Sequence, residues 1–199
     1  QWCNPQHFLI ALFLLASGTF AQKLDMSKLE NMKARAIGPA GMSGRVTAIA
    51  VERKNPAVIY IGSASGGLWK SVSGGVKWDP IFDTMAVASI GALALDQNNP
   101  DVIWVGTGEG NPRNSQTSGD GVYKSLDGGH SWIHLGLEKT RNIHRVILDP
   151  TNSNVAYAAA IGTAFGETPD RGVYKTTDGG ATWQRVLFVD EKTGCAELV

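Results

Sequence analysis

The chain has 199 residues and carries 18 Lys and Arg against 18 Asp and Glu, so its formal net charge is zero. This balance argues against a nucleic-acid-binding domain, which usually has a basic excess, and against a polybasic membrane-surface protein. Hydrophobic residues make up 43% of the chain and glycine contributes 24 residues. Such a composition favours a folded, turn-rich β protein over a helical or disordered one.

The first apolar segment is FLIALFLLA at positions 8–16. It is too short for a membrane span, which needs about 20 residues, but it fits the hydrophobic region of a secretory signal peptide. We therefore expect a signal peptide at 1–21, a lead-in segment at 22–43, and an exported protein (periplasmic, cell-surface or extracellular). The alternative is a buried strand or helix. Because the first residue is Gln1 rather than Met, we expect the true start to be missing or misassigned.

A repeated unit organises the rest of the chain. Each copy contains a short apolar run, a polar turn, a second apolar run, and a third run that leads through a Gly-Gly turn to a Trp. A unit of about 50 residues with four short runs is typical of one four-stranded blade of a β-propeller. The copies of the second run align without gaps at 52–62, 96–106 and 149–159, and the closing residues are Trp78, Trp132 and Trp183.

The repeat predicts an all-β fold, a β-propeller with four-stranded blades whose fourth strands begin at these Trp residues. Closed propellers usually have about four to eight blades, so we expect a fragment of a larger propeller whose C-terminal blades are missing. The alternative is a short protein that closes by oligomerising. The predicted ranges are 44–199 for the incomplete propeller, with blades at 44–87, 88–140 and 141–193 and the start of a fourth at 194–199.

Two of the Gly-Gly turns share the pattern Ser/Thr-x-Asp-x-Gly-x-Ser/Thr-Trp, at 125–132 and 176–183. The Asp can accept hydrogen bonds from backbone N–H groups of the hairpin, the Gly can supply a positive φ, and the Trp can bury a large apolar surface. We interpret these residues as structural. A catalytic carboxylate pair is the disfavoured alternative, because the hairpins belong to neighbouring blades and do not converge. The structural residues are Asp127, Gly129, Trp132, Asp178, Gly180 and Trp183.

This pattern resembles the Asp-box, or BNR repeat, of bacterial neuraminidases. With the segments 37–51, 60–71, 105–115 and 171–183, it makes the chain similar to bacterial secreted proteins that carry a sortilin N-terminal-type propeller and are named glycosyl hydrolase-like. The resemblance spans roughly residues 35–199. It implies a multi-bladed propeller with Asp-boxes on the face opposite an active site, but it implies no single substrate.

Candidate binding residues lie in the loops between the second and third strands of each blade. This loop is short in the first blade and long in the next two, and long loops on a rigid scaffold often carry binding groups. An Arg that opens the first strand should reach the same face, where it can clamp a carboxylate or phosphate. The alternative is solvated or loop-bracing charges. The candidates are Arg45, Glu109, Asn111, Arg113, Asn114, Glu167 and Arg171, with Asp120 and Asp170 in the same loops.

The resemblance also bears on enzyme activity. Xyloglucanase-type hydrolases, which the first blade resembles, carry a catalytic Asp just before the Gly-Gly of the third strand, where this chain has Ala64 or Ser65. Sialidases need an Arg-Ile-Pro tripeptide, which does not occur here. A glycosidase needs two carboxylates, so we predict no catalytic residue in this chain. The alternative is a glycoside hydrolase in which Glu109 pairs with a carboxylate of the missing blades.

The sequence thus favours a non-enzymatic, exported propeller that binds a protein, peptide or glycan. A purely structural or assembly-factor module is a further hypothesis. We expect no cofactor, because the Gly-rich run at 106–110 leads into no helix and so lacks the context of a dinucleotide site. We expect no metal, because the His and Cys residues have no zinc-ligand spacing, and no membrane span.

Overall fold

The computed structural model describes residues 44–111 and 113–199. The predicted signal peptide and lead-in segment lie outside the described residues. Blade 1 consists of β1 (Val46–Val51), β2 (Ile59–Ser63), β3 (Leu68–Ser71) and β4 (Asp79–Pro80). Blade 2 consists of β5 (Ile90–Leu95), β6 (Ile103–Thr107), β7 (Val122–Ser125) and β8 (Ile133–His134). Blade 3 consists of β9 (Ile143–Asp149), β10 (Asn152–Ala160), β11 (Gly172–Thr176) and β12 (Gln184–Leu187), and the 3₁₀ turn Glu138–Thr140 precedes it.

Each blade is a four-stranded antiparallel sheet in which the strands pair in chain order. The first strands β1, β5 and β9 contact one another in sequence, which stacks the blades side by side. The predicted all-β fold of four-stranded blades is therefore confirmed. One detail differs, because each fourth strand begins one residue after its Trp rather than at the Trp. Residues 194–199 form no strand, and the start of a fourth blade stays a prediction.

Alternation along β6 explains how the blades pack. Side chains of a strand point alternately to its two faces, and all five residues of β6 are buried. Ile103 and Val105 pack against blade 1, in a core with Tyr60 and Leu68. Trp104 points to the other face and packs against Val146 of blade 3. Blade 2 thus contributes to both hydrophobic cores, one on each face of its sheet.

Two glycines allow neighbouring blades to approach closely. A Cβ atom at Gly62 would lie 2.5 Å from Cγ2 of Ile90, and one at Gly106 would lie 2.6 Å from Cγ2 of Ile143. Real Cβ atoms do not approach carbon atoms this closely, so an alanine would push the blades apart. The two glycines occupy the same position in β2 and β6. Each leaves room for the side chain of the first residue in the first strand of the next blade.

The hairpin between β7 and β8 is held together by Asp127. Its Oδ1 accepts hydrogen bonds from the Ser125 hydroxyl at 2.8 Å and from the Ser131 N–H at 2.8 Å, while its Oδ2 accepts one from the Ser131 hydroxyl at 2.5 Å. Gly129 has a φ of 94° and its N–H donates to Ser125 Oγ. Side chains thus satisfy the polar backbone of a tight turn, which is the local role of an Asx-type motif.

The other two hairpins repeat this arrangement. Asp178 accepts from Thr176 Oγ1 at 2.7 Å and from the N–H of Thr182 at 2.9 Å, and Gly180 has a φ of 97°. In blade 1, where Ser73 replaces the Asp, its hydroxyl oxygen accepts from the Lys77 N–H at 2.8 Å. A hydroxyl therefore takes over one of the carboxylate's contacts, and the turn keeps its shape.

The same hairpins clasp the preceding blade. The indole N–H of Trp132 donates to Ile81 O at 2.7 Å, and that of Trp183 donates to Leu135 O at 2.8 Å. In return, Lys70 and Lys124 of the preceding blade donate to turn carbonyls in these hairpins, Lys70 to Gly128 O at 2.9 Å. We call this two-way arrangement the inter-blade clasp. Trp78 of blade 1 differs, because its indole donates to Gly75 O within its own turn.

The first prediction concerns this clasp. Trp132→Ala should lower the free energy of unfolding by about 3 kcal/mol, because it removes a large apolar side chain from a packed contact as well as the bond to Ile81 O. Trp78→Ala is the matched control and should cost less, because its indole bonds within its own blade. Urea denaturation of both variants measures the difference. Equal losses would contradict the clasp.

A second prediction concerns acid stability. Hydrogen bonds from Ser131 and Thr182 hold the pKa values of Asp127 and Asp178 well below their usual range. Because the unfolded carboxyls have a pKa of about 3.9, the unfolded state binds more protons as the pH falls below about 4, and stability is lost there. The double variant Asp127→Asn, Asp178→Asn should lose less stability than the wild type between pH 7 and pH 3. Urea midpoints at the two pH values test this, and equal losses would refute it.

Candidate functional site

The loops of the propeller divide between two faces. The hairpins just described form the hairpin face. The loops between second and third strands and the connections between blades form the opposite face, which we call the long-loop face. No helix in the described part of the chain is long and apolar enough to cross a membrane. Among the same residues, no group of three or more His, Cys, Asp and Glu side chains could hold a metal ion.

The long-loop face contains a polar cavity of about 610 Å³ between blades 2 and 3, which we call the blade 2–3 cleft. Three loops build it: the long loop of blade 2, the connection from β8 to β9, and the long loop of blade 3. A second cavity of about 330 Å³ adjoins it and shares Thr163 with it. The residues that line the cleft are Ser118, Gly119, Glu138, Lys139, Arg141, Thr163, Glu167, Thr168, Pro169 and Asp170.

Arg45 and Glu109 are brought together, but they face each other rather than the cleft. Nη2 of Arg45 forms an ion pair with Oε1 of Glu109, whose side chain is only 1% exposed against 28% for Arg45. The main chain of Glu109 is also fixed, because its N–H donates to Ser89 Oγ at 3.0 Å and its C=O accepts from Asn142 Nδ2 at 2.5 Å. The pair ties the start of blade 1 to blade 2 and leaves Glu109 inaccessible to a ligand.

Arg171 braces the long loop of blade 3. Its guanidinium donates to the carbonyls of Thr163 at 2.6 Å, Gly166 at 2.9 Å and Glu191 at 2.8 Å, and also to Ile161 O. The residue is 7% exposed. Because four carbonyls already accept hydrogen bonds from this buried guanidinium, the side chain shapes the wall of the cleft rather than binding a ligand itself.

The remaining candidates are scattered. Glu167 lines the cleft and pairs with Lys192 at 3.2 Å. The carbonyl of Asn111 accepts from Gln116 Nε2 at 2.9 Å, which fixes part of the blade 2 loop. Arg113 and Asn114 are exposed, and neither is among the described residues that line the cleft or the second cavity.

The two extra loop carboxylates play different parts. Asp120 Oδ2 accepts a hydrogen bond from the Tyr123 hydroxyl at 2.8 Å. Burial raises the pKa of Tyr123 above its usual range, and this hydrogen bond adds to the rise, so the phenol stays protonated as a donor. Asp120 is therefore structural. Asp170 lines the cleft, where its carboxylate forms no ion pair within residues 44–111 and 113–199.

The connection between β8 and β9 contributes cleft residues that sequence reasoning missed. Leu137 and Arg141 are non-glycine residues with positive φ, 66° and 61°. The Asn142 N–H donates to Thr140 O at 2.7 Å across Arg141, whose ψ is −54°. These values define a γ-turn of the rare, strained kind, which costs of order 1–3 kcal/mol. In the sequence, the run Glu-Lys-Thr-Arg at 138–141, with three charged residues, was the signal that could have indicated these cleft residues.

Neighbouring groups hold this turn in place. Arg141 O accepts from the Gly119 N–H at 2.6 Å. The buried side chain of Asn142 donates to Glu109 O and to Thr117 O. A Cβ at Gly108 would lie 2.1 Å from Arg141 O, so the glycine is needed for this close approach. The strained backbone is thus fixed from both sides at a residue that lines the cleft.

Comparisons with known proteins define the class of protein. A scan against protein-family models found no match, and a search of curated proteins found none either. Among solved structures, the chain is similar to an ancestral GH74 enzyme, with 28% identity and a TM-score of 0.59 over 73% of this chain and 19% of that one. It is also similar to YCF48 bound to D1 peptide, with 15% identity and a TM-score of 0.51 over 75% of this chain and 43% of that one.

A third similar structure is an auxiliary nutrient binding protein from Bacteroides thetaiotaomicron, with 11% identity and a TM-score of 0.53 over 77% of this chain and 32% of that one. The chain spans between 19% and 43% of the length of these structures. Together with the three four-stranded sheets, these likenesses place the protein among the β-propellers.

A third prediction tests the role of Glu109. Glu109→Gln should lower the free energy of unfolding by about 3 kcal/mol, because removing one partner of a buried ion pair leaves the other uncompensated. Because Arg45 is partly exposed, we expect a loss at the low end of the range that is typical of broken buried ion pairs. The double variant Arg45→Met, Glu109→Leu should recover part of it, since replacing both charges avoids the unpaired cation. Thermal and urea unfolding measure all three proteins. A single variant as stable as the wild type would refute the structural role.

Proposed function

We propose that the protein is an exported, Asp-box propeller of the sortilin N-terminal type that binds a protein, peptide or glycan ligand through its long-loop face. The observation that carries the proposal is the blade 2–3 cleft, a cavity of about 610 Å³ lined by charged and hydroxyl side chains from three loops. Its volume falls within the range of small-ligand sites, roughly 300–1,000 Å³. The apolar segment at 8–16 supports export, and the repeated hairpin pattern supports an Asp-box propeller of the sortilin N-terminal type.

The walls of the cleft are organised before any ligand arrives. Arg171 holds the blade 3 loop through carbonyl contacts, and the γ-turn at Arg141 is fixed by Gly119 and Asn142. A preformed site loses less conformational entropy on binding than a mobile one, so more of the contact energy appears as affinity. This organisation favours a binding role for the cleft over a merely solvated gap between loops.

The similar structures support a binding role in a limited way. YCF48 was solved with a D1 peptide, and the Bacteroides protein is described as nutrient binding. At 15% and 11% identity these likenesses concern the fold, and one propeller fold hosts many functions. The proposal for this chain therefore depends on the cleft.

A glycoside hydrolase is the second candidate, favoured by the 28% identity to the ancestral GH74 enzyme. Glu109 is a poor catalytic group, because its carboxylate is buried against Arg45. Glu138, Glu167 and Asp170 do line the cleft, and glycosidases work with carboxylate pairs. Turnover must therefore be measured alongside binding.

The fourth prediction uses a blocking substitution. Ser118 is exposed and lines the cleft, so Ser118→Tyr should fill the cleft and weaken binding at least about tenfold, a loss of 1.4 kcal/mol. Ala181→Tyr is the matched control, because Ala181 is exposed in the blade 3 hairpin on the opposite face. The full-length protein is applied to an array of synthetic peptides and to an array of polysaccharides, and the two variants are compared with it.

Binding that Ser118→Tyr abolishes and Ala181→Tyr preserves supports the proposal. Binding that both variants preserve places the site elsewhere and refutes the cleft. Absence of binding to every probe refutes the binding function. Hydrolysis of a polysaccharide by the wild type, lost in Asp170→Asn or Glu167→Gln, would replace the proposal by the hydrolase.

A further inference from the structure

We propose that the blade 2–3 cleft recognises a peptide segment that carries both an acidic and a basic side chain, with Arg141 and Lys139 binding the carboxylate and Asp170 binding the cation. The inference rests on the proposed function and specifies its ligand class. It comes from how the charges around the cleft are used. Glu167 pairs with Lys192 and Glu138 lies beside His134, whereas Arg141, Lys139 and Asp170 form no ion pair within residues 44–111 and 113–199.

The basic side of the cleft belongs to the connection between β8 and β9. Lys139 and Arg141 both line the cleft and are exposed. Across residues 44–111 and 113–199, no carboxylate forms an ion pair with either of them. Glu138, the acidic residue beside them, has its own neighbour, since its Oε1 lies 3.6 Å from Nδ1 of His134. Two unpaired cations side by side suit a carboxylate, and the guanidinium can bind it bidentately.

Arg171 provides a comparison within the same site. Its guanidinium is buried and occupied by main-chain carbonyls, as expected for a brace. Arg141 has the opposite arrangement: the Gly119 N–H donates to its carbonyl and the Asn142 N–H donates to Thr140 O across it, while the residue is exposed and lines the cleft. A fixed backbone with an unoccupied cationic side chain is the arrangement that a recognition residue requires.

The acidic side of the cleft belongs to the long loop of blade 3. Glu167 and Asp170 line it. Glu167 pairs with Lys192 at 3.2 Å, whereas the Asp170 carboxylate has no cationic partner in the described part of the chain. The carbonyl of Asp170 accepts a hydrogen bond from the Tyr174 hydroxyl at 3.0 Å, which fixes the main chain at this position. Asp170 is therefore held in place with its charge available.

A cleft with an unpaired cation on one side and an unpaired anion on the other fits a ligand that carries both charges close together. A peptide does so with two side chains a few residues apart. Acidic polysaccharides repeat one sign of charge and leave Asp170 facing another carboxylate, which is unfavourable. The volume of about 610 Å³ holds a short segment rather than a folded domain, which suggests an extended or terminal stretch of a partner protein.

The test uses four biotinylated hexapeptide libraries built on Gly, Ser and Ala. The first holds one Asp and one Lys at varied spacing, and the others replace Asp by Asn, Lys by Gln, or both. Polygalacturonate and a neutral β-glucan are the polysaccharide probes. The full-length wild-type protein should bind the Asp/Lys library best, and added salt should weaken that binding.

Arg141→Gln should reduce binding of the Asp/Lys library at least tenfold and leave the Asn/Lys library nearly unchanged. Asp170→Asn should do the reverse, with a loss confined to libraries that contain Lys. Lys139→Gln is a second variant of the basic side, chosen because it leaves the γ-turn residue untouched. Arg113→Gln is the control, since Arg113 is exposed but outside the cleft lining, and it should bind like the wild type.

The outcomes separate this inference from the proposed function. Equal binding of all four libraries, or an Arg141→Gln protein that behaves like Arg113→Gln, overturns the charge recognition and leaves a binding cleft. Polysaccharide binding blocked by Ser118→Tyr, without peptide binding, overturns the peptide ligand and keeps the site. Absence of binding to every probe overturns both.

Discussion

The inter-blade clasp is the interaction on which the structure depends. A single sheet buries only the face that another sheet covers, so a blade is stable only when its neighbours are in place. The hairpins of blades 2 and 3 reach back with an indole N–H, and Lys70 and Lys124 reach forward to the turn carbonyls. Nζ of Lys124 also lies 4.6 Å from the ring centroid of the core residue Trp104, so the clasp contacts the core.

This clasp explains why the two faces of the propeller differ. Turns on the hairpin face must keep one shape, because their carbonyls and indoles contact the neighbouring blade. Asp127 and Asp178 maintain that shape, because their carboxylates accept hydrogen bonds within their own hairpins. Loops on the other face also contact neighbouring blades at single points, such as Arg45 with Glu109, but they do not repeat one turn and they vary in length. Variation is tolerated where it does not break blade stacking, and the cleft lies there.

Much of the fold could be predicted from the sequence because its determinants are local and repeated. The Gly-Gly turns, the alternation of the strands and the recurring Trp each act over a few residues. The cleft could be predicted only in part. That Arg171 binds four carbonyls, or that Arg45 reaches Glu109, depends on contacts between distant parts of the chain. Arg141 was not among the predicted residues, because the long loops that predict binding lie within blades, whereas the γ-turn lies between blades.

The arginines of the long-loop face differ in whether their guanidinium groups already have partners within the described part of the protein. Buried guanidinium groups are stable only when their donors are satisfied, and Arg171 meets this condition with main-chain carbonyls. Arg45 is partly exposed and is used in an ion pair with Glu109. An arginine used this way gains nothing from a ligand. Arg141 instead has a strained, well-anchored main chain and an exposed side chain. In the described part of the chain no carboxylate pairs with its guanidinium, and strain of this kind is typical of functional sites, which supports the ligand contact that we propose for the cleft.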